Sequence, residues 1–230
     1  MARPTSENDL PEPNGVSPFQ PRSERILPLA VSYFLGYGAY VGGWMFFAVR
    51  FLLTIQGHVQ ITVALFFIPN MICGIIATFI VSKTLHLFPG HWILTAGMVA
   101  NTMGPVFFIP QTPNTTYCAL FMLGIALGTF GPDMTFAAAS IFITSSVPRS
   151  FQGSAGSLLV TIQNLSAAIV TAIGDTIGKE ITRVGGDGYK LDLGALRAIW
   201  WFSLAISLAA ALVCAVFVRI PRSEEKDHVE

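Results

Sequence analysis

Charge is what this 230-residue chain has least of. Asp, Glu, Lys and Arg make up 11% of it, where a soluble domain carries about 25%. The 13 basic and 13 acidic residues cancel. Charge this sparse and balanced leaves no electrostatic footprint for a polyanion, so nucleic acid is not an expected partner. Cysteine is scarce too: Cys73, Cys118 and Cys214 lack the spacing of a zinc site or a redox pair and read as small packing residues. All four histidines, His58, His86, His91 and His228, fall in loops, at the ends of apolar stretches or in the C-terminal tail. None can activate a serine or bind a metal inside those stretches. Gly153-Ser154-Ala155-Gly156 is similar to the serine motif of six-span intramembrane proteases, which need such a histidine. A phosphate-binding glycine loop and an HExxH motif are missing as well. The expectation is no enzyme, no metal and no cofactor.

Apolar length is what the chain has most of. Hydrophobic residues make up 53%, and mean hydropathy is +0.62. A hydrocarbon core of ~30 Å needs about 20 mainly apolar residues in a helix rising 1.5 Å per residue. Six stretches reach or approach that length: 26–49, 59–81, 92–109, 117–147, 153–177 and 198–218. The third is short and the fourth long. The fold expected is an all-α integral membrane bundle of six transmembrane helices with the lipid bilayer as its partner. Residues 1–25 are polar and hold Pro4, Pro11, Pro13, Pro18 and Pro21, so a disordered tail is expected there, with a second short tail at 219–230.

An even number of spans puts both tails on one side. That side holds Arg3, Arg22, Arg25, Lys83, Arg149, Arg219, Arg222 and Lys226; the other holds Arg50, Lys179, Arg183, Lys190 and Arg197. Retention of Lys and Arg on the inside then predicts cytoplasmic termini, and a plasma-membrane location is expected. The loop between the third and fourth spans falls outside and carries the sequon Asn114-Thr115-Thr116, making Asn114 a glycosylation candidate. Asn164-Leu165-Ser166 has the same pattern but lies within a span. Trp92, Tyr117, Trp200 and Trp201 stand near span ends, where such rings prefer the headgroup level, and Trp44 is read in the same way.

Three pairs of small residues, Gly38/Gly42, Gly124/Gly128 and Gly153/Ser157, are four apart and predict close helix contacts. Pro69-Asn70, Gly104-Pro105 and Gly131-Pro132 predict interruptions in the second, third and fourth spans. Asp133 is the acid well inside a span, about 24 Å of helix from Tyr117 and about 21 Å from Val147. A carboxylate at that depth costs about 2.5–3.5 kcal/mol on insertion scales. Three roles fit it: a protonatable site that couples proton movement to transport, a counter-charge for a cationic solute, or a hydrogen-bonded tie between helices. Asn70, Asn101, Gln163 and Asn164 are mid-span amides, either substrate-path residues or cross-helix ties. Gln163 and Asn164 are adjacent and cannot both face one partner helix. Asp175, near the outer end of the fifth span, reads as a solvated rim residue.

The run Gly131-Pro132-Asp133-Met134-Thr135-Phe136-Ala137-Ala138-Ala139-Ser140, followed by Val147-Pro148-Arg149-Ser150-Phe151-Gln152-Gly153, resembles major facilitator superfamily transporters. More narrowly it resembles the fungal fourteen-helix drug:proton antiporters of the aminotriazole-resistance type. Asp133, Arg149, Gln152, Gly153 and Asn164 fall on that group's pattern, while Pro132 replaces a Met-like position. Ser32–Phe47, with its Gly-Tyr-Gly and aromatic run, resembles the opening helix of the group's C-terminal half. The resemblance covers the last six helices of such a transporter. It implies proton-coupled export of a small-molecule drug or secondary metabolite, with Asp133 as the coupling carboxylate and Arg149, Gln152 and Gly153 at a cytoplasmic gate. In that family the solute path runs between two six-helix halves. The expectation is therefore either a chain lacking its first half or a second six-helix half as partner, from a like copy or a full-length relative. The alternative is a truncated, non-transporting protein that modulates such a relative.

Overall fold

A computed structural model describes residues 20–84, 90–185 and 192–217. Every element in them is helical, and no strand occurs among the described residues. The elements line up as rods numbered here in chain order. The first runs Gln20–Tyr37, passes through a π-helical stretch Gly38–Met45 and resumes as α-helix at Phe46–Thr54. The second comprises Gln60–Phe66 and Ile68–Thr84, and the third Gly90–Asn101 and Met103–Phe108. The fourth opens with a π-helical turn, Tyr117–Phe121, and continues as Met122–Ser146. After a short 3₁₀ turn, Arg149–Phe151, come the fifth, Gln152–Gly185, and the sixth, Leu193–Phe217. The second, fourth, fifth and sixth are long and apolar enough to cross a membrane, and Trp92–Phe108 is a shorter apolar helix. The tail expected at 219–230 lies outside the described residues, as do residues 1–19. Helix is already present at Gln20, inside the segment expected to be disordered. The fifth rod runs beyond residue 177, turning part of the expected outer loop into helix.

Two of the three expected interruptions are present, each just upstream of its proline. The second rod breaks at Phe67, whose ψ of 1° leaves the helical range, two residues before Pro69. The third breaks at Thr102, three before Pro105, and the Thr102 hydroxyl donates to the Val99 carbonyl at 2.7 Å. A proline lacks the N–H that would bond the carbonyl four residues back, and its ring crowds that carbonyl. Pro132 departs from expectation: it sits within the unbroken helix Met122–Ser146. Its turn is clamped from the side, because the Gly131 backbone lies directly against Asn101 of the third rod.

Lipid tails are as apolar as the helices, so the rods cohere by close packing and hydrogen bonds rather than by hydrophobic burial. The third rod packs most extensively on the fourth, the fifth on the π-helical stretch of the first, the second on the fourth, and the first and third on the sixth. Small residues make those approaches possible. A Cβ added at Gly42 would lie 2.5 Å from the Ala167 carbonyl oxygen, and one at Gly131 would lie 2.7 Å from the Asn101 backbone. Gly38/Gly42 thus face the fifth rod and Gly124/Gly128 the third, as their spacing predicts. The pair Gly153/Ser157 does not act this way: nothing stands within 4 Å of a Cβ at Gly153, and Ser157 is exposed.

The core has two layers. One, around Leu29, Tyr33, Val81, Leu94, Ile143 and Leu159, lies toward the end where the first rod begins and the sixth finishes, called here the terminal end. The other is aromatic, around Trp44, Phe47, Phe51, Phe108, Phe121 and Trp200, and fills the opposite end. Trp44 and Trp200 are completely buried in it, which corrects their reading as headgroup residues. Both rings meet Phe108 edge-on, at 5.2 and 5.4 Å. Trp92 and Trp201 are exposed, as interfacial rings should be. Asn101 is buried and donates to the Gly36 carbonyl of the first rod at 2.7 Å. It works as a tie between helices.

Two outcomes follow. Gly131→Ala places a methyl against backbone that cannot give way and costs about 2–3 kcal/mol of unfolding free energy in detergent, whereas Gly153→Ala is neutral or stabilising by up to about 1 kcal/mol. Asn101→Ala, measured in the same way, costs about 1 kcal/mol, because it removes the bond to the Gly36 carbonyl.

Candidate functional site

The helix that buries Gly131 against the third rod turns the residue two positions on through about 200°. Asp133 therefore faces the second rod. Gly74 stands opposite it, and a Cβ there would lie 2.8 Å from the carboxylate Oδ2. Only a residue without a side chain lets the two rods close over an acid at this point. Asp133 is half-buried, and among the described residues no hydrogen bond or ion pair reaches its carboxylate. Tyr37 and Tyr40 of the first rod are its ionisable neighbours. The carboxylate is at the floor of an open groove of about 700 Å³ whose other lining residues, Met71, Gly74, Ile75, Thr78, Phe79 and Ser82, all belong to the second rod.

One turn from Asp133 on the side of the aromatic layer is a three-helix knot. The Asn70 side-chain oxygen accepts from the Tyr40 hydroxyl at 2.9 Å and from the Thr129 hydroxyl. Tyr40 and Thr129 themselves stand 3.4 Å apart. Thr129 is also within bonding distance of the Ile125 carbonyl, 2.6 Å away, so its single proton has two acceptors to choose from. The break at Phe67 restarts the second rod just before Asn70 and so sets the direction in which that amide points. Thr129 and Asp133, like Asn70 and Gly74, are four apart; the knot and the acid are successive turns of one seam. Tyr40, Thr129 and Gly74 escape a sequence search for chemistry, yet the four-residue register linking Thr129 to Asp133 and Gly74 to Asn70 is a visible signal.

The other candidates are not gathered here. Gln163 is half-buried and lies close to Tyr33 of the first rod, while Asn164 is exposed on another face of the fifth rod. Arg149 begins the 3₁₀ turn, and Gln152 and Gly153 are exposed where the fifth rod starts. Asn114 is exposed in a turn closed by a 2.9 Å contact between the Thr112 and Thr115 hydroxyls. Asp175 is partly exposed, as a rim residue should be, and is also paired: it accepts from Arg50 at 3.1 Å and from Lys179 at 2.7 Å, the Arg50 bond joining the first and fifth rods. Among the described residues no group of three or more His, Cys, Asp or Glu could hold a metal ion.

No family model matches the chain. Individual proteins do. The efflux pump terG of Aspergillus terreus is 26% identical over 197 residues, covering 81% of this chain and 37% of the pump. The aminotriazole resistance protein of Saccharomyces cerevisiae is 25% identical over 206 residues, covering 88% of this chain and 37% of that protein. An uncharacterized MFS-type (major facilitator superfamily) transporter of Schizosaccharomyces pombe is 26% identical over 184 residues, covering 78% of this chain and 35% of the transporter. The chain thus spans little more than a third of the length of these relatives. They are named as pumps, transporters and a resistance protein, not as enzymes. An all-helical bundle, with four membrane-length apolar helices among the described residues, is thus similar over most of its length to part of major facilitator superfamily transporters, the aminotriazole resistance protein included.

Proposed function

We propose that the chain is a membrane transport unit that moves a small molecule outward in exchange for protons, with Asp133 as the group that takes up and releases the proton. The observation that carries this reading is the setting of Asp133: mid-helix, half-buried, free of any ion pair among the described residues and open to a groove. An acid that only held helices together would be bonded across them, as Asn101 and Asn70 are. An unpaired carboxylate in a largely apolar groove gains and loses a proton with a large change in local electrostatics, which biases a two-state bundle. Pumps and resistance proteins among the relatives support outward movement of a small organic solute.

The bundle works in this reading against a second six-helix unit, either another copy of the chain or a further unit of the kind the longer relatives have room for. The second and fifth rods favour that arrangement, since only 11% and 17% of their apolar windows are covered within the chain, against 44% and 39% for the fourth and sixth. Both tails face the cytoplasm of the plasma membrane on the charge distribution. Gln163, Arg149, Gln152 and Gly153 then lie toward the cytoplasmic half. The alternative of a non-transporting modulator has no observation in its favour.

The test is export of 3-amino-1,2,4-triazole from vesicles containing the chain under an imposed proton gradient. Gradient-driven export should be present with Asp133 and fall to the leak rate in Asp133→Asn, with equal amounts of protein in the membrane. Undiminished gradient-driven export by Asp133→Asn removes the carboxylate from the mechanism.

A further inference from the structure

The knot beside Asp133 leaves one donor unspent. The Asn70 oxygen takes the Tyr40 and Thr129 hydroxyls. Its amide nitrogen bonds nothing among the described residues, and it is not enclosed, because Asn70 is only half-buried. An amide whose oxygen is held by two hydroxyls cannot turn over without losing both bonds, so the knot also sets where the NH₂ group points. Asp133 has the complementary deficit: among the described residues its carboxylate accepts nothing. Thr129 bonds Asn70 and stands four residues before Asp133. The free NH₂ and the free carboxylate are therefore one helical turn apart along the seam, about 6 Å. Beside them Met71, Ile75 and Phe79 expose apolar surface in the groove. The groups around the acid supply no counter-charge at that depth. The first rod turns Tyr37 and Tyr40 toward it, and neither the third rod between Trp92 and Phe108 nor the fifth between Gln152 and Gly174 carries a charge. Lys83, the cation of the second rod, lies at its last turn with its ammonium 5.8 Å from the Phe79 ring centre.

We propose that Asn70 and Asp133 form a two-point subsite for small organic bases, in which the carboxylate binds a protonated amine and the Asn70 NH₂ donates to an acceptor on the same molecule. Asn70 is then a specificity-determining residue as well as a tie between helices. The proposal rests on Asp133 being the carboxylate that exchanges protons, and it adds what the chain recognises beside that group. A protonated amine and a proton are alternative partners for one carboxylate, so the two exchange for each other there. Selectivity comes from the second point. A solute without an acceptor leaves the Asn70 NH₂ desolvated and unpaired, which is the penalty by which polar sites reject close analogues. The solute's apolar body packs on Met71, Ile75 and Phe79, the usual division of labour in a small-molecule site.

Binding of isosteric probes tests the subsite without depending on transport. Benzylamine is compared with the three aminomethylpyridine isomers, each of which replaces one ring CH by an acceptor nitrogen. Affinity is measured by isothermal titration of the purified full chain in lipid nanodiscs, at a pH where the amine is protonated and the pyridine nitrogen is not. At least one isomer should bind about fivefold more tightly than benzylamine, the worth of one hydrogen bond. Asn70→Leu should abolish that preference and leave benzylamine binding unchanged, because the Tyr40 and Thr129 hydroxyls, 3.4 Å apart, can then bond each other. Asp133→Asn should weaken both kinds of probe. No binding of any probe, or equal binding of benzylamine and all three isomers, overturns the inference. So does a preference that survives Asn70→Leu, an equal loss of both kinds of probe in that variant, as a merely structural Asn70 would give, or amine binding untouched by Asp133→Asn. If Asn70→Leu does not reach the membrane, Asn70→Ala takes its place with the same expected outcome. A preference that depends on Asn70, together with intact gradient-driven export by Asp133→Asn, would overturn the coupling role and leave the subsite. A preference independent of Asn70, together with lost export, would do the reverse.

Discussion

Close backbone approach between rods of equal apolarity is the constraint on which this molecule depends. In water a helix gains by burying any apolar stripe, but in hydrocarbon that gain vanishes and cohesion comes from van der Waals contact and the few polar bonds that bridge helices. The chain meets the requirement with glycine at its crossings. Gly42 lets the first rod lie on the carbonyl of Ala167, and Gly131 lets the fourth lie on the backbone of Asn101. The π-helical winding of Gly38–Met45 belongs to the same solution, since it lets Gly42 meet the fifth rod while Gly43 meets Ser203 of the sixth.

That constraint also creates the site. With Gly131 committed to the third rod, helical geometry presents Asp133 to the second, and Gly74 supplies the space in which an unbonded carboxylate fits between them. The contrast with the other polar residues shows how the chain distributes them. Asn101, Ser203 and Asn70 each satisfy a partner on another rod, at 2.7, 2.8 and 2.9 Å, and Asp175 is held by two cations. Among the described residues Asp133 is left out of this bonding, in a chain that carries little charge.

The two core layers give the bundle a polarity that none of its helices has alone. Rings fill one end so completely that Trp44, Phe47, Phe51 and Trp200 have no exposed surface. Aliphatic and small side chains fill the other, and there the second rod keeps a hydroxyl-bearing face open along the groove. Asp133 lies where these regimes meet. Aromatic edge contacts are rigid and dry, and small hydroxyl residues leave room for water, so the asymmetry follows from side-chain chemistry.

Much of this was readable from composition and spacing. Long apolar stretches and scarce charge determined that the chain is helical and built for lipid, and four-residue glycine spacing marked two of its crossings. The depth of Asp133 marked it as the residue to explain, because a charge far from either interface is expensive wherever the helix packs. Tertiary structure decided the rest. Which face a helix turns inward depends on its neighbours, so Trp44 and Trp200 proved to be core, Gly153 met nothing, and Asn101 became a tie. Pro132 passed without a break because its turn is clamped from the side. The bond from Asn70 to Tyr40 and the opposition of Gly74 and Asp133 join residues 30 and 59 positions apart. Local sequence fixes a helix's length and its solvent; only the packing of rods brings such distant positions within an ångström-scale contact.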